Sequence, residues 1–245
     1  MFGFFVTVYH EAIYRPVLNL MVGLYDFLPI QDIGLVIILV TIIIRIILAP
    51  LMHKSLKGQK ALSALQPKMN ELREKYKDDR EAQAKAMLEM YRENKVNPLS
   101  SCLPVLLQLP ILLALFHVFR HALNGNLDGL YSFIPNPGSI DPYFLGLVNL
   151  ASPNFIFAIL AGAAQYWQSR IIIRWQGNQP STDATARMMN MQMTYVLPII
   201  SVVIAWNLPA GLPLYWVITT LFAVGQQYYI QRTHKTPEQL AEVIK

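Results

Sequence analysis

The feature that most restricts what this chain can fold into is the placement of its charges. Residues 33–52 hold a single one, Arg45, and residues 99–119 hold no Lys, Arg, Asp or Glu. Residues 142–169 and 188–231 are equally free of charge. A bilayer-spanning helix needs roughly 20 apolar residues, so the first three stretches each supply one span. The fourth is long enough for two, with Asn207-Leu208-Pro209-Ala210-Gly211 as the turn between them. Charged residues make up 14% of the chain, against about 25% in a soluble domain. Cys102 is the only cysteine, which excludes a disulfide scaffold. The expected architecture is an all-α polytopic membrane protein with spans at 33–52, 99–119, 154–173, 190–208 and 212–231.

The polar segments between the spans predict the orientation. Segment 53–97 carries eleven of the 20 basic residues. With five spans it shares a side with the 170–187 loop and the tail 232–245. Seventeen basic residues then crowd one face, while the outer face, including the loop 120–153, keeps Arg15 and Arg120. By the positive-inside rule the crowded face is cytoplasmic, with the N-terminus outside and the C-terminus inside. Residues 1–32 lack a basic n-region and an A-x-A cleavage site, so they do not read as a secretory signal. Their apolar Ile13, Val17, Leu20 and Leu24 recur at helical spacing. That pattern predicts an amphipathic helix in the outer interface.

Segment 53–97 reads as a helical hairpin. Leu62, Leu65, Met69, Leu72 and Tyr76 follow a 3-4-3-4 spacing along one helix side. Lys77-Asp78-Asp79-Arg80 forms a turn, and Ala84, Leu88 and Tyr91 supply the facing stripe. Pro67 either kinks the first arm or restarts it near a first helical turn. The hairpin serves as a charged connector that enforces topology, or as a docking element for a soluble partner or an arriving polypeptide.

Arg45 is the charge that topology does not explain. An arginine at mid-span costs roughly 2.5–3.5 kcal/mol on insertion scales, and no span contains Asp or Glu to offset it. It either snorkels toward the cytoplasmic interface or faces a water-filled cavity. Gln108, Gln165, Thr194, Ser201, Thr219 and Thr220 lie at comparable depth, each otherwise an ordinary interhelical hydrogen bonder. Trp206 and Trp216 suit an interfacial belt, and Ala158, Ala161 and Gly162 would permit close helix packing.

No HExxH, Walker loop, GxSxG or paired carboxylate occurs. His53 and His117 stand at no catalytic or metal-ligand spacing. The sequence therefore points to no enzyme, no catalytic residues, no metal and no cofactor. The basic residues are accounted for by topology rather than by nucleic acid.

Taken together, the motifs resemble a known family. The string Thr41-Ile-Ile-Ile-Arg45-Ile-Ile-Leu-Ala-Pro50-Leu51 is similar to the first core span of the YidC/Oxa/Alb membrane protein insertases. The run from Leu65 to Tyr76 resembles their cytoplasmic hairpin, and the run from Asn97 to Pro110 their second span. Leu197-Pro198, the run from Leu208 to Trp216, and Gln226-Gln227 resemble the closing segment. The resemblance, to the short bacterial form, covers about residues 10–231. It implies a five-helix core around a hydrophilic groove, open to cytoplasm and bilayer and closed outside. It places Arg45, Gln108, Gln165 and Trp216 in that groove, with Thr194, Thr219 and Thr220 as supporting polar groups. Thr220 stands where the family often has Asn.

The implied mechanism has Arg45 attract the acidic outer segment of a client, whose helix then slides into lipid without nucleotide. The implied partners are nascent membrane proteins and the lipid bilayer, with the Sec translocon, signal recognition machinery and ribosome as further candidates. The implied location is the bacterial cytoplasmic membrane. Two other classes remain beside it: a small-anion transporter or channel using Arg45, and an assembly factor without a transport path. Five spans with one long hairpin do not divide into the repeated halves that a transporter would favour.

Overall fold

A computed structural model describes residues 2–101, 103–122, 125–175, 188 and 190–233. Most of these residues are helical. We label the helices α1 (Phe2–Tyr9), α2 (Arg15–Phe27), α3 (Ile33–Ala64), α4 (Gln66–Lys75), α5 (Arg80–Glu93), α6 (Leu103–Ala122), α7 (Phe155–Trp175), α8 (Leu197–Trp206) and α9 (Gly211–Thr233). Among the described residues, α3 is the one helix long and apolar enough to cross a membrane. Leu106–Ala122 and Gln192–Trp206 are shorter apolar helical stretches. One short ladder interrupts the all-α expectation: β1 (Tyr143–Phe144) pairs antiparallel with β2 (Val148–Asn149).

Proline explains two local departures from α-helix. His10–Tyr14 and Gln192–Val196 are π turns, and Pro16 and Pro198 follow each by two positions. Proline has no N–H to give the i−4 carbonyl. The preceding residue instead bonds one step further back: Arg15 N–H donates to the His10 carbonyl and Leu197 N–H to the Gln192 carbonyl.

The chain forms two compact units. The first comprises Met1–Ile47, Val105–Gln165 and Pro198–Phe222. Its core buries Leu18, Met21 and Val22 of α2, Ile33, Val36, Ile37 and Val40 of α3, Leu115 and Val118 of α6, and Leu212 of α9. The N-terminal segment is thus helical as expected, but its buried face runs Tyr14, Val17, Leu18, Met21, Val22 and Tyr25. That face is turned by about one residue from the stripe Ile13, Val17, Leu20, Leu24. Asn19 helps set the rotation. It is buried, its amide N–H reaches the Gly129 carbonyl at 3.1 Å, and its Oδ1 accepts from the Tyr131 N–H at 2.6 Å.

Asp32 fastens the start of α3. It is 5% exposed, and its Oδ1 accepts from the Leu35 N–H at 2.9 Å, an N-capping contact. Its Oδ2 accepts from the Leu145 N–H. Leu145 occupies the left-handed region (φ 52), where a side chain is disfavoured, so this bond holds a strained turn between β1 and β2. Nearby, Ala210 N–H donates to the Ser152 carbonyl at 3.0 Å and Gly211 N–H to that of Leu150 at 3.1 Å. The Asn207–Gly211 turn is thereby tied to the loop before α7.

Close packing of α7 follows its small residues. Ala158 and Ala161 are fully buried with Ala205 of α8. A Cβ on Gly162 would overlap the Val202 side chain and stand 3.2 Å from the Pro198 carbonyl. Gly162→Val should destabilise this unit by about 1–3 kcal/mol, the usual cost of overpacking. A lower thermal midpoint in detergent checks it; an unchanged midpoint would mean the two helices separate freely.

The second unit comprises Leu48–Pro104, Tyr166–Leu197 and Ala223–Lys245. It contains the hairpin. The helix of the first expected span, α3, does not stop at Met52 but runs on to Ala64 with Pro50 inside it. A new helix starts at Gln66 with Pro67 in its first turn, and Asp79 caps α5 by accepting from Ala82 N–H at 2.9 Å. Leu65 and Met69 pack with Met90, flanked by Leu72, Met87, Tyr91 and Val96. The facing stripe therefore differs from expectation: Tyr91 turns inward, Leu88 is 56% exposed, and Ala84 is exposed too. Met87 and Met90 take the inner positions, because flexible thioether chains fill an irregular gap between two short helices.

Candidate functional site

Three helices of the first unit converge on Arg45. On α3, Ile46 and Ile47 are 59% and 68% exposed, whereas Thr41 and Arg45 turn inward at 1% and 6%. A four-residue step keeps Thr41 and Arg45 on one face. Thr41 spends its hydroxyl on its own helix, donating to the Ile37 carbonyl at 2.6 Å.

The arginine side chain does not run out to solvent. Its Nη2 donates to Gln108 Oε1 of α6 at 3.1 Å, and its Nε donates to Thr219 Oγ1 of α9 at 3.4 Å. Gln108 Nε2 in turn donates to the Tyr215 hydroxyl, which is also hydrogen-bonded to Thr219. Arg45 thus sits in a closed loop of neutral side chains. Among the described residues, no carboxylate pairs with it.

A second polar pair lies on α7 and α9. Trp216 Nε1–H donates to Gln165 Oε1 at 3.3 Å. The Trp216 ring is half-buried against the Ala158, Ala161 and Ala205 cluster. Trp206 is the exposed one, at 53%, with its ring 4.5 Å from that of Phe155. Thr220 is buried. Thr194, in the second unit, is buried and donates to its own helix at the Asn190 carbonyl, 2.7 Å away.

Of the hairpin residues, Leu65, Met69 and Leu72 share the inner face, while Leu62 and Tyr76 are half-buried outside that cluster. The Lys75 ammonium stands 5.3 Å from the Tyr76 ring centre, a cation–π contact.

Sequence reading missed Tyr215. Its one signal was the four-residue spacing to Thr219, which puts both on one face of α9. A tyrosine early in a span reads equally well as an interfacial anchor. It also missed the partner of His117, whose Nδ1 lies 3.0 Å from the Tyr9 hydroxyl. Among the described residues, no group of His, Cys, Asp and Glu could hold a metal ion.

Arg45 and its neighbours have counterparts in known proteins only if the chain as a whole does. The family model described as 60Kd inner membrane protein matches residues 24–238. A Fusobacterium nucleatum protein is 39% identical over 205 residues, covering 83% of this chain and 88% of the relative. A Pelobacter propionicus protein is 35% identical across 85% of this chain and 36% of its own length. A Streptomyces avermitilis protein is 31% identical across 85% of this chain and 53% of its own. All three are named membrane protein insertase YidC. The chain spans about a third of the length of several curated relatives and nearly all of the Fusobacterium one. On this coverage the chain belongs to the 60Kd inner membrane protein family, the YidC/Oxa/Alb group of membrane protein insertases.

Proposed function

We propose that this chain is a membrane protein insertase and chaperone of the bacterial cytoplasmic membrane. The observation that carries the reading is Arg45: a residue 6% exposed whose guanidinium hydrogen-bonds neutral oxygens and meets no resident carboxylate among the described residues. A charge held this way attracts an incoming anion, because Coulomb attraction grows as the effective dielectric falls below that of water. The acidic outer segment of a client is the anion in question. Gln108, Gln165, Thr219, Thr220 and Trp216 would offer polar contacts to the client backbone. Thr194 spends its hydroxyl on its own helix, so its part would be through backbone shape.

In this reading five spans, at 33–52, 99–119, 154–173, 190–208 and 212–231, enclose a groove open to the cytoplasm and the bilayer. The N-terminus is outside, residues 1–32 lie along the outer interface, and the C-terminus is cytoplasmic. The exposed apolar side chains of α8, among them Ile199, Ile200, Val203 and Ile204, support a lipid-facing helix. The client helix leaves the groove by partitioning into lipid, with no nucleotide consumed. The hairpin, with Leu62, Leu65, Met69, Leu72 and Tyr76 as its docking residues, is where a ribosome, the signal recognition machinery or the Sec translocon would dock.

The test is reconstitution of the purified chain alone in phospholipid vesicles, with a single-span client bearing an acidic outer tail. Protease protection of that tail, without nucleotide, is the expected result. Binding without protection would identify an assembly factor, and flux of a small anion without insertion would identify a transporter; either ends the insertase reading.

A further inference from the structure

We propose that Tyr215 is a positioning residue for client capture, acting through Gln108 to hold the Arg45 guanidinium in place. The inference rests on the insertase reading above and names a side chain which that reading does not use.

The argument is one of donors and acceptors. Arginine has five N–H donors and no acceptor, so the Gln108 atom facing Nη2 must be the carbonyl Oε1, as observed at 3.1 Å. The amide nitrogen then points the other way, carrying two N–H donors into a buried region. It finds the Tyr215 hydroxyl, which accepts. Arg45 therefore decides which way the amide faces, and Tyr215 decides where the amide stays. Tyr215 is itself 2% exposed. Without its oxygen, the amide nitrogen would be left unsatisfied, and buried polar groups do not stay that way. Gln108, only half-buried, would swing outward to find an acceptor and release Nη2.

The consequence reaches the guanidinium. Thr219 and Gln108 occupy two of the five N–H groups, leaving both hydrogens on Nη1 and one on Nη2. Those remaining donors lie on the outer edge of the fork, the edge suited to bidentate binding of a carboxylate. Holding Nε and one Nη2 hydrogen fixes the direction in which that edge faces. Tyr215 thus governs selectivity for acidic clients rather than insertion as such.

The experiment is a double-mutant cycle in the same vesicles, read as the ratio of insertion for two clients that differ only in an acidic or a neutral outer tail. Tyr215→Phe should lower the ratio about three- to tenfold, leave neutral-tail insertion unchanged and keep the thermal midpoint. In a Gln108→Met background Tyr215→Phe should lower the ratio much less, since the route through Gln108 is gone and only the hydroxyl's bond to Thr219 is left. An equal additional loss in that background overturns the proposal, and so does an unchanged ratio in the single variant. One measurement needs no variant. In protein labelled with ¹⁵N at glutamine side chains, the Gln108 amide protons should exchange slowly with solvent, and free exchange also overturns it. Arg45→Ala runs alongside: if the ratio ignores that change, capture by Arg45 fails and the role of Tyr215 with it, whereas a ratio that falls for Arg45→Ala but not for Tyr215→Phe overturns the role of Tyr215 alone.

Discussion

Arg45→Ala should reduce insertion of an acidic-tailed client by about 30-fold or more and leave a neutral-tailed client nearly untouched. A carboxylate about 4 Å from a guanidinium gains about 4 kcal/mol at an effective dielectric of 20. Even half of that is about 30-fold, because each 1.4 kcal/mol is a factor of ten. The fold should tolerate the change. Arg45 hydrogen-bonds only neutral groups, so its removal leaves no buried charge behind. Arg45→Lys should keep part of the activity, since the charge remains while the planar fork is lost. Initial insertion rates for the paired clients measure both. Equal loss for the two clients would show that Arg45 acts on structure rather than on client charge.

Gln108→Glu should be at least as damaging, and for the opposite reason. It sets a carboxylate where Oε1 now stands, 3.1 Å from Nη2. The new ion pair satisfies Arg45 internally, and a client carboxylate must displace it against a comparable attraction of about 4 kcal/mol. We expect a loss of acidic-client insertion on the order of 10²-fold, with the thermal midpoint unchanged or raised. The contrast with Gln108→Met is informative, because the methionine removes the hydrogen bonds without adding a charge. Should the glutamate variant insert acidic clients as well as the unsubstituted chain, the availability of the Arg45 charge cannot be what drives capture.

Much of the fold could be read from the sequence because charge and proline act locally. The uncharged runs anticipate α6, α7 and α9 within a few residues and the start of α3, though not its end at Ala64, and Pro67 and Asp79 mark the hairpin's restart and its cap. Arg45 was legible as an oddity for the same reason: one charge in twenty apolar residues. Its partners were less so. Gln108 and Tyr215 stand 107 residues apart, and nothing in either segment says that their side chains meet. The hairpin's second stripe failed at Ala84 and Leu88, where two registers fit one amphipathic pattern and only the opposing Met69 and Leu65 decide between them. The rotation of α2 escaped too, since Asn19 is polar by type yet buried by its hydrogen bonds to a distant loop. The π turns had a local signature, a proline two positions on, that periodicity counting passes over.

The carboxylate of Asp32 also acts as a benchmark for height. It fixes the first turn of α3 against the backbone at Leu145, and Arg45 follows thirteen residues later. At 1.5 Å per residue the guanidinium's helix position is set about 20 Å along the axis from that anchor, and at 3.6 residues per turn its bearing is set as well. Losing one residue between them would raise Arg45 by about 1.5 Å and swing it by about 100°. That is enough to carry it from Gln108 and Thr219 to the position now held by Ile44, which packs against the apolar core. The distance from anchor to charge is therefore a length that the chain cannot vary, even by a single amino acid, without losing the charge from its place.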